Sequence, residues 1–184
     1  MQVSVIVLAA GQGTRMNSDL PKVLHHVAGA PLLHHALATA HSLEPSRIVV
    51  VTGHGGEAVA TSALGYSEAV DTVLQDPQLG TAHAVAQAAP LLAGAEGDAI
   101  VLYADTPLIR EDTLRAMLEA RARHAVVVLG FHAKDPGRYG RLITEGDDLH
   151  AIREFKDASA EERKITLCNS GVVCADVQVL LSLV

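Results

Sequence analysis

A three-layer α/β/α sandwich around a mostly parallel, mixed sheet is the fold class this sequence predicts, and three observations predict it. Short β-branched runs alternate with longer runs of helical period from Val3 to about residue 130. The short runs are almost continuously apolar, as in parallel strands buried on both faces. Polar segments rich in glycine follow several of them, at the strand ends where open α/β sheets hold their ligands.

The elements follow in order. Strands are expected at Val3–Leu8, Arg47–Thr52, Val70–Leu74, Asp98–Tyr103 and Ala125–Phe131, with helices between them at Pro31–Leu43, Gly55–Leu64, Thr81–Leu92 and Arg110–Arg123. Pro31 suits a first helical position and Thr81 an N-cap. After Phe131 the pattern changes. Leu142–Thr144 and Leu149–Glu154 flank a hairpin-like turn, Glu145-Gly146-Asp147-Asp148. A short charged helix at about Ala158–Lys164 and a last strand, Ile165–Ala175, come next, and Asp176–Val184 starts another amphipathic helix. Residues 1–184 are read as one domain, with 1–130 as a nucleotide-binding part and 131–175 as an insertion or lid.

Composition narrows the class. Apolar residues make up 49% of the 184, charged residues 19% and aromatics 3%, so the expected core is built from Ala, Val and Leu. No apolar run approaches the roughly 18 residues of a membrane span, and a cytoplasmic protein without membrane partners is expected. A formal charge of −7 argues against nucleic acid and requires that a polyanionic substrate be attracted locally. One strand carrying both Cys168 and Cys174 would separate them by about 20 Å, too far for a disulfide.

The segment from Leu8 to Lys22 carries the chemistry. Small residues at Ala9, Ala10, Gly11 and Gly13 let backbone N–H groups approach phosphate oxygens, and Arg15 and Lys22 supply two fixed cations in the same loop. A P-loop is excluded because no Gly-Lys pair occurs. A dinucleotide fingerprint would need glycine where Met16 stands and an acid after the second strand, where the chain reads Val51-Thr52-Gly53-His54. Nor does a catalytic Ser-His-Asp set or a His-Glu-x-x-His pair emerge from ten histidines. His83 reads as a structural histidine, and Gln78 as loop scaffolding.

Leu8-Ala9-Ala10-Gly11-x-Gly13-Thr14-Arg15-Met16, followed by Leu20-Pro21-Lys22, resembles the signature of sugar-1-phosphate nucleotidyltransferases. Further segments agree: Gln75–His83, Tyr103–Leu108, Tyr139-Gly140-Arg141, Glu154–Ala158 and Asn169-Ser170-Gly171. Together they most resemble the uridyltransferase half of the bacterial bifunctional N-acetylglucosamine-1-phosphate uridyltransferase/glucosamine-1-phosphate acetyltransferases. The resemblance implies a Rossmann-like sheet of the nucleotide-diphospho-sugar transferase type. It implies uridylyl transfer from UTP to N-acetylglucosamine-1-phosphate, giving UDP-N-acetylglucosamine and pyrophosphate for peptidoglycan and lipopolysaccharide precursors. The alternatives are a related transferase using another sugar or base, and a nucleotide-sugar binding fragment without turnover.

Such a site must hold two anions in line and neutralise charge on the α-phosphate and leaving group, without a general base. Arg15 is expected to serve the pyrophosphate portion and Lys22 the α-phosphate or sugar phosphate. Asp105, after the apolar run Ile100–Tyr103, is a candidate ligand for Mg²⁺. Leu8, Ala9, Ala10, Gly11, Gly13 and Lys22 are assigned to the nucleotide, and Gln75, Gly80 and Thr81 to its base. A carboxamide matches the N3–H and O4 edge of uracil. The resemblance assigns Tyr103, Ala104, Gly140, Glu154 and Asn169 to the sugar. Glu154 pairing with Lys156 or Arg153, and Asn169 capping a turn, remain open. Relatives carry glycine where Ala104 stands, and their second metal ligand is an Asn beyond residue 184. The chain is therefore expected to be a shortened form, its turnover and oligomeric state open.

Overall fold

The computed structural model describes residues 2–13 and 16–184. The chain divides into two compact units, Met1–Val127 with Val173–Val184, and Val128–Val172.

In the first unit, strand β1 (Val3–Ala9) is buried at every position, as a central strand enclosed on both faces must be. A two-residue pair, β2 (His26–Val27) and β3 (Ala30–Pro31), leads into helix α1 (Leu32–Ser42). The alternation then runs β4 (Arg47–Thr52), α2 (Gly56–Tyr66), β5 (Val70–Leu74), α3 (Thr81–Gln87), β6 (Asp98–Tyr103) and α4 (Glu111–Arg121). Strands β5, β4, β1 and β6 lie side by side in that order, all parallel. Register aligns Leu8 with Val51 and Tyr103, and Thr52 with Leu74, so the loops after β1, β5 and β6 leave the same end of the sheet.

Ile6, Leu8, Val49, Val51 and Val101 form one face of the sheet's core with Ala84 and Val85 of α3 and its C-cap Ala88. Strand alternation puts Val5, Val7 and Val50 on the other face. These too are fully buried, beneath α1 and α2, with α4 packed against α1. Burying an aliphatic side chain contributes about 1.5–3 kcal/mol, so these short strands supply most of the unit's cohesion.

The second unit contains most of β7 (Val126–His132) and the antiparallel hairpin of β8 (Arg141–Glu145) and β9 (Asp148–Arg153). Glu145 pairs with Asp148 across a two-residue turn at Gly146-Asp147, as the sequence predicts. Strand β10 (Leu167–Asp176) begins here, Cys168 opposite Arg141, and ends in the first unit. There Val173–Asp176 run antiparallel to Val101–Asp98, which makes the sheet mixed. Helix α5 (Val177–Ser182) closes the chain, capped by Asp176, whose carboxylate accepts from Gln178 N and Val179 N. Among the described residues no helix is long and apolar enough to cross a membrane.

Four expectations change. Pro31 is the N-cap of α1 rather than its first helical residue. Thr81 is the first residue of α3, and Gly80 occupies the cap. The helix expected to reach Leu92 stops at Gln87, because Pro90 has no N–H to continue it, and a 3₁₀ turn spans Ala89–Leu92. The charged helix at Ala158–Lys164 reduces to a 3₁₀ turn at Glu162–Lys164. Both cysteines are free and buried, six positions apart on β10.

Candidate active site

Strand β1 delivers the chain into a loop whose shape depends on Gly13. Its φ of +61° belongs to the left-handed region, and a Cβ there would lie 2.6 Å from Lys22 Cβ. Glycine thus lets the loop fold back against Lys22, which opens a short 3₁₀ turn after Pro21, with Val23 buried as its anchor. A second close approach occurs at Gly53. A Cβ there would lie 2.7 Å from both Ala10 O and Gln78 Nε2, the two atoms joined by a 2.8 Å hydrogen bond. Gln78 therefore ties the loop after β5 to the loop after β1.

These loops and the end of β6 surround a cavity of about 390 Å³. Leu8, Ala10, Gly11 and Gly13 line it from the first loop, Gln75, Gly80 and Thr81 from the loop after β5, and Tyr103 and Asp105 from β6 and its turn. Lys22 Nζ donates to Asp105 Oδ2 at 2.6 Å, and each side chain is about one-third exposed (33% and 32%). The turn bearing Asp105 is held by Ala104 N donating to Leu8 O at 3.0 Å and by Thr106 N and Oγ1 donating to Tyr103 O. Its carboxylate is the hard oxygen donor of the cavity. Among the described residues no three His, Cys, Asp or Glu side chains converge on a metal position.

Gln75 is buried, at 4% exposure. Its Nε2 donates to Gly80 O at 2.9 Å and lies 3.1 Å from His83 Nδ1. Gly80 O also accepts from Ala84 N, so its carbonyl is engaged. Gln78, Val23 and Ala84 also line the cavity. Sequence reasoning cast Gln78 as scaffolding and passed over Val23 and Ala84, apolar residues that carry no chemical signal of their own.

Two assigned residues stand back from the cavity. Ala9 is 2% exposed, and Ala104 is fully buried, so Ala104 presents no surface to a sugar here. Ala104 sits at the strand end, its N–H donating to Leu8 O. Arg15 lies outside the described residues.

In the second unit, Gly140, Glu154 and Asn169 converge. Asn169 N donates to Gly140 O at 2.8 Å, and a Cβ on Gly140 would lie 3.1 Å from Glu154 Oε1 and 3.6 Å from Asn169 Cβ. Asn169 Oδ1 accepts from Gly171 N at 2.9 Å, so it does cap a turn. Arg153 pairs with Glu162 rather than with Glu154. Beneath them Arg141 is 1% exposed. Its guanidinium donates to the carbonyls of Pro136, Gly137, Tyr139 and Arg163 and lies over the Phe155 ring. A buried arginine fastened to four carbonyls holds the loop that ends in Gly140.

Residues 5–167 match the MobA-like NTP transferase domain. The chain belongs to this family. Bifunctional protein GlmU of Cereibacter sphaeroides is 69% identical over 182 residues, 99% of this chain and 40% of that protein. GlmU of Jannaschia sp. is 58% identical over 98% of this chain and 40% of its own length, and that of Paracoccus denitrificans 55% over 97% and 40%. The motif resemblance to the bifunctional enzymes is thereby borne out, and the chain spans about 40% of the length of these relatives. The fold is shared with crystal structures of HddC from Yersinia pseudotuberculosis (TM-score 0.76, 21% identity, 97% of this chain and 79% of that one) and of a putative glucose-1-phosphate thymidylyltransferase from Bacillus anthracis (TM-score 0.78, 22% identity, 97% and 73%). This MobA-like chain thus carries a nucleotidyltransferase domain.

Proposed function

We propose that this chain performs the uridylyltransferase reaction: a phosphate oxygen of N-acetylglucosamine-1-phosphate attacks the α-phosphorus of UTP. The new P–O bond yields UDP-N-acetylglucosamine as the bond to the β-phosphate breaks, and pyrophosphate leaves with the electron pair. The product would feed cell-wall precursor synthesis in the cytoplasm. The observation that carries this reading is the Lys22–Asp105 pair in the wall of a cavity lined by a glycine loop.

The residues divide the work. Lys22 presents three N–H donors and can exchange its carboxylate partner for an α-phosphate oxygen or the sugar phosphate, offsetting charge as the transition state forms. Gly11 and Gly13 allow backbone N–H groups near the remaining phosphates. Gln75 and the Gly80 N–H read the base, with Thr81 beside them. Tyr103 serves the sugar from the cavity wall. Within the second unit, Gly140, Glu154 and Asn169 form a cluster whose carboxylate and amide suit sugar hydroxyl and N-acetyl groups. Because the nucleophile is already anionic, no side chain needs to remove a proton.

A single hard carboxylate suits a cation that arrives with a polyphosphate and keeps several waters, so the donor set at Asp105 fits Mg²⁺. When bound there, Mg²⁺ supplies charge neutralisation to the phosphate oxygens.

The test is Mg²⁺-dependent pyrophosphate release from UTP and N-acetylglucosamine-1-phosphate, with Lys22→Ala as control. Release that Lys22→Ala abolishes supports the reading. Absence of release together with no binding of UDP-N-acetylglucosamine overturns it.

A further inference from the structure

We propose that His83 is a positioning residue that sets base selectivity by locking the Gln75 carboxamide with its amino group inward and Oε1 as the free acceptor. This rests on the uridylyltransferase reading and goes beyond it, since it explains how an amide that could face either way is held one way.

Both hydrogens of Gln75 Nε2 have partners inside the protein, Gly80 O at 2.9 Å and His83 Nδ1 at 3.1 Å. A carbonyl accepts and cannot donate, so Gly80 alone already favours the inward amino group. His83 Nδ1 completes the lock when it carries the lone pair, which places the ring proton on Nε2. Gln87 competes for that ring. Its Nε2 lies 3.1 Å from His83 Nε2 and donates to His83 O at 3.2 Å. The two amino groups cannot both donate to a neutral imidazole. Gln87 is half-buried and can turn its amide to water, whereas turning Gln75 would set its Oε1 against the Gly80 carbonyl oxygen, so Gly80 decides in favour of Gln75.

Among the described residues Gln75 Oε1 receives no hydrogen bond, and Gln75 lines the cavity. An acceptor held there takes the N3–H of uracil, while the Gly80 N–H meets a base carbonyl. Cytosine presents a lone pair at N3, which faces the lone pairs of Oε1. A carboxamide free to flip would accommodate both bases.

The experiment measures UTP and CTP dissociation constants for the full chain, with His83→Leu and His83→Asn. Leucine keeps apolar bulk and helix propensity but removes the acceptor. Asparagine keeps an acceptor bonded to Cγ, where Nδ1 stands in histidine. The expected result is that the preference for UTP over CTP falls about tenfold in His83→Leu and is largely restored in His83→Asn. In the unsubstituted chain, hydrogen exchange of the Gln75 side-chain amide is expected to be slow. An unchanged preference in His83→Leu, or rapid exchange of that amide, overturns the role of His83 while leaving the transferase reading intact. Failure of the unsubstituted chain to bind UTP overturns both.

Discussion

Lys22 Nζ and Asp105 Oδ2 stand 2.6 Å apart although 83 residues separate them in sequence. The parallel pairing of β1 with β6 creates this meeting, because it brings the loops after both strands to one end of the sheet. With each side chain about one-third exposed, the ion pair contributes at most about 1 kcal/mol to stability. In the proposed reaction each group is worth several times that.

Lys22→Ala and Asp105→Asn are therefore expected to leave the unfolding midpoint nearly unchanged while lowering the rate of pyrophosphate release about 100-fold or more, roughly 3 kcal/mol each. The double variant should lose less than the sum, because both groups act on the same phosphates. Calorimetry and steady-state rates on the same samples check this, and a large fall in stability with little fall in rate contradicts it.

Gly13→Ala should damage both the site and the fold. Its Cβ would press on Lys22 Cβ at 2.6 Å, and φ of +61° costs a residue with a Cβ roughly 1–2 kcal/mol. The expected outcome is a loss of UTP affinity of at least about tenfold, with destabilisation of at least about that figure because Lys22 Cβ, at the root of its side chain, cannot swing aside. Isothermal titration and chemical denaturation separate the two effects.

Arg141→Lys should destabilise the chain by about 2–4 kcal/mol, since one ammonium group cannot span the four carbonyls that the guanidinium fork reaches. Urea denaturation measures this directly. A cost below 0.5 kcal/mol, the scale of an ordinary surface substitution, would show that the fork is dispensable.

Asp98 predicts a pH dependence. Burial pushes its carboxyl above the ordinary value of 3.8, the Arg121 guanidinium draws it back in part, and the nearby Asp176 charge adds to the rise. Arg121 Nε lies 3.1 Å from Asp98 Oδ1. A raised folded value means that the native chain binds this proton more tightly than the unfolded chain. That contribution is complete below 3.8 and is lost as pH rises through the folded value. Relative to Asp98→Asn, which does not titrate, the unsubstituted chain should lose stability as pH climbs upward from 3.8. Denaturation curves across a pH series would contradict this if the difference stayed flat or reversed.

Much of the architecture was legible in the chain. β1, β4 and β6 are short, mostly apolar runs in which local propensity and burial agree, so their ends fall within a residue of where the periodicity puts them. The helix at Thr81 was legible in place but not in extent, because one proline outweighed an otherwise helical pattern. The β2–β3 pair escaped notice because two-residue strands carry no periodicity. Within the cavity wall, Gly13, Lys22, Gln75, Gly80 and Asp105 were recognisable from residue type and order. The enclosure of Ala104 was not, since an alanine looks the same in sequence whether it faces a ligand or the core.

By itself the sequence determined the alternation of strand and helix, the glycine loop with its cations, and the family, because each is written in local order and spacing. Tertiary structure alone decided that Lys22 meets Asp105, that Gln75 Nε2 turns inward to Gly80 and His83, and that Arg141 is buried among carbonyls. The first and last of these join elements on different strands and loops, and the Gln75 amide is turned by partners that only folding brings around it. Hydrogen bonds act over about 3 Å, and nothing short of the packed chain brings those atoms within that range.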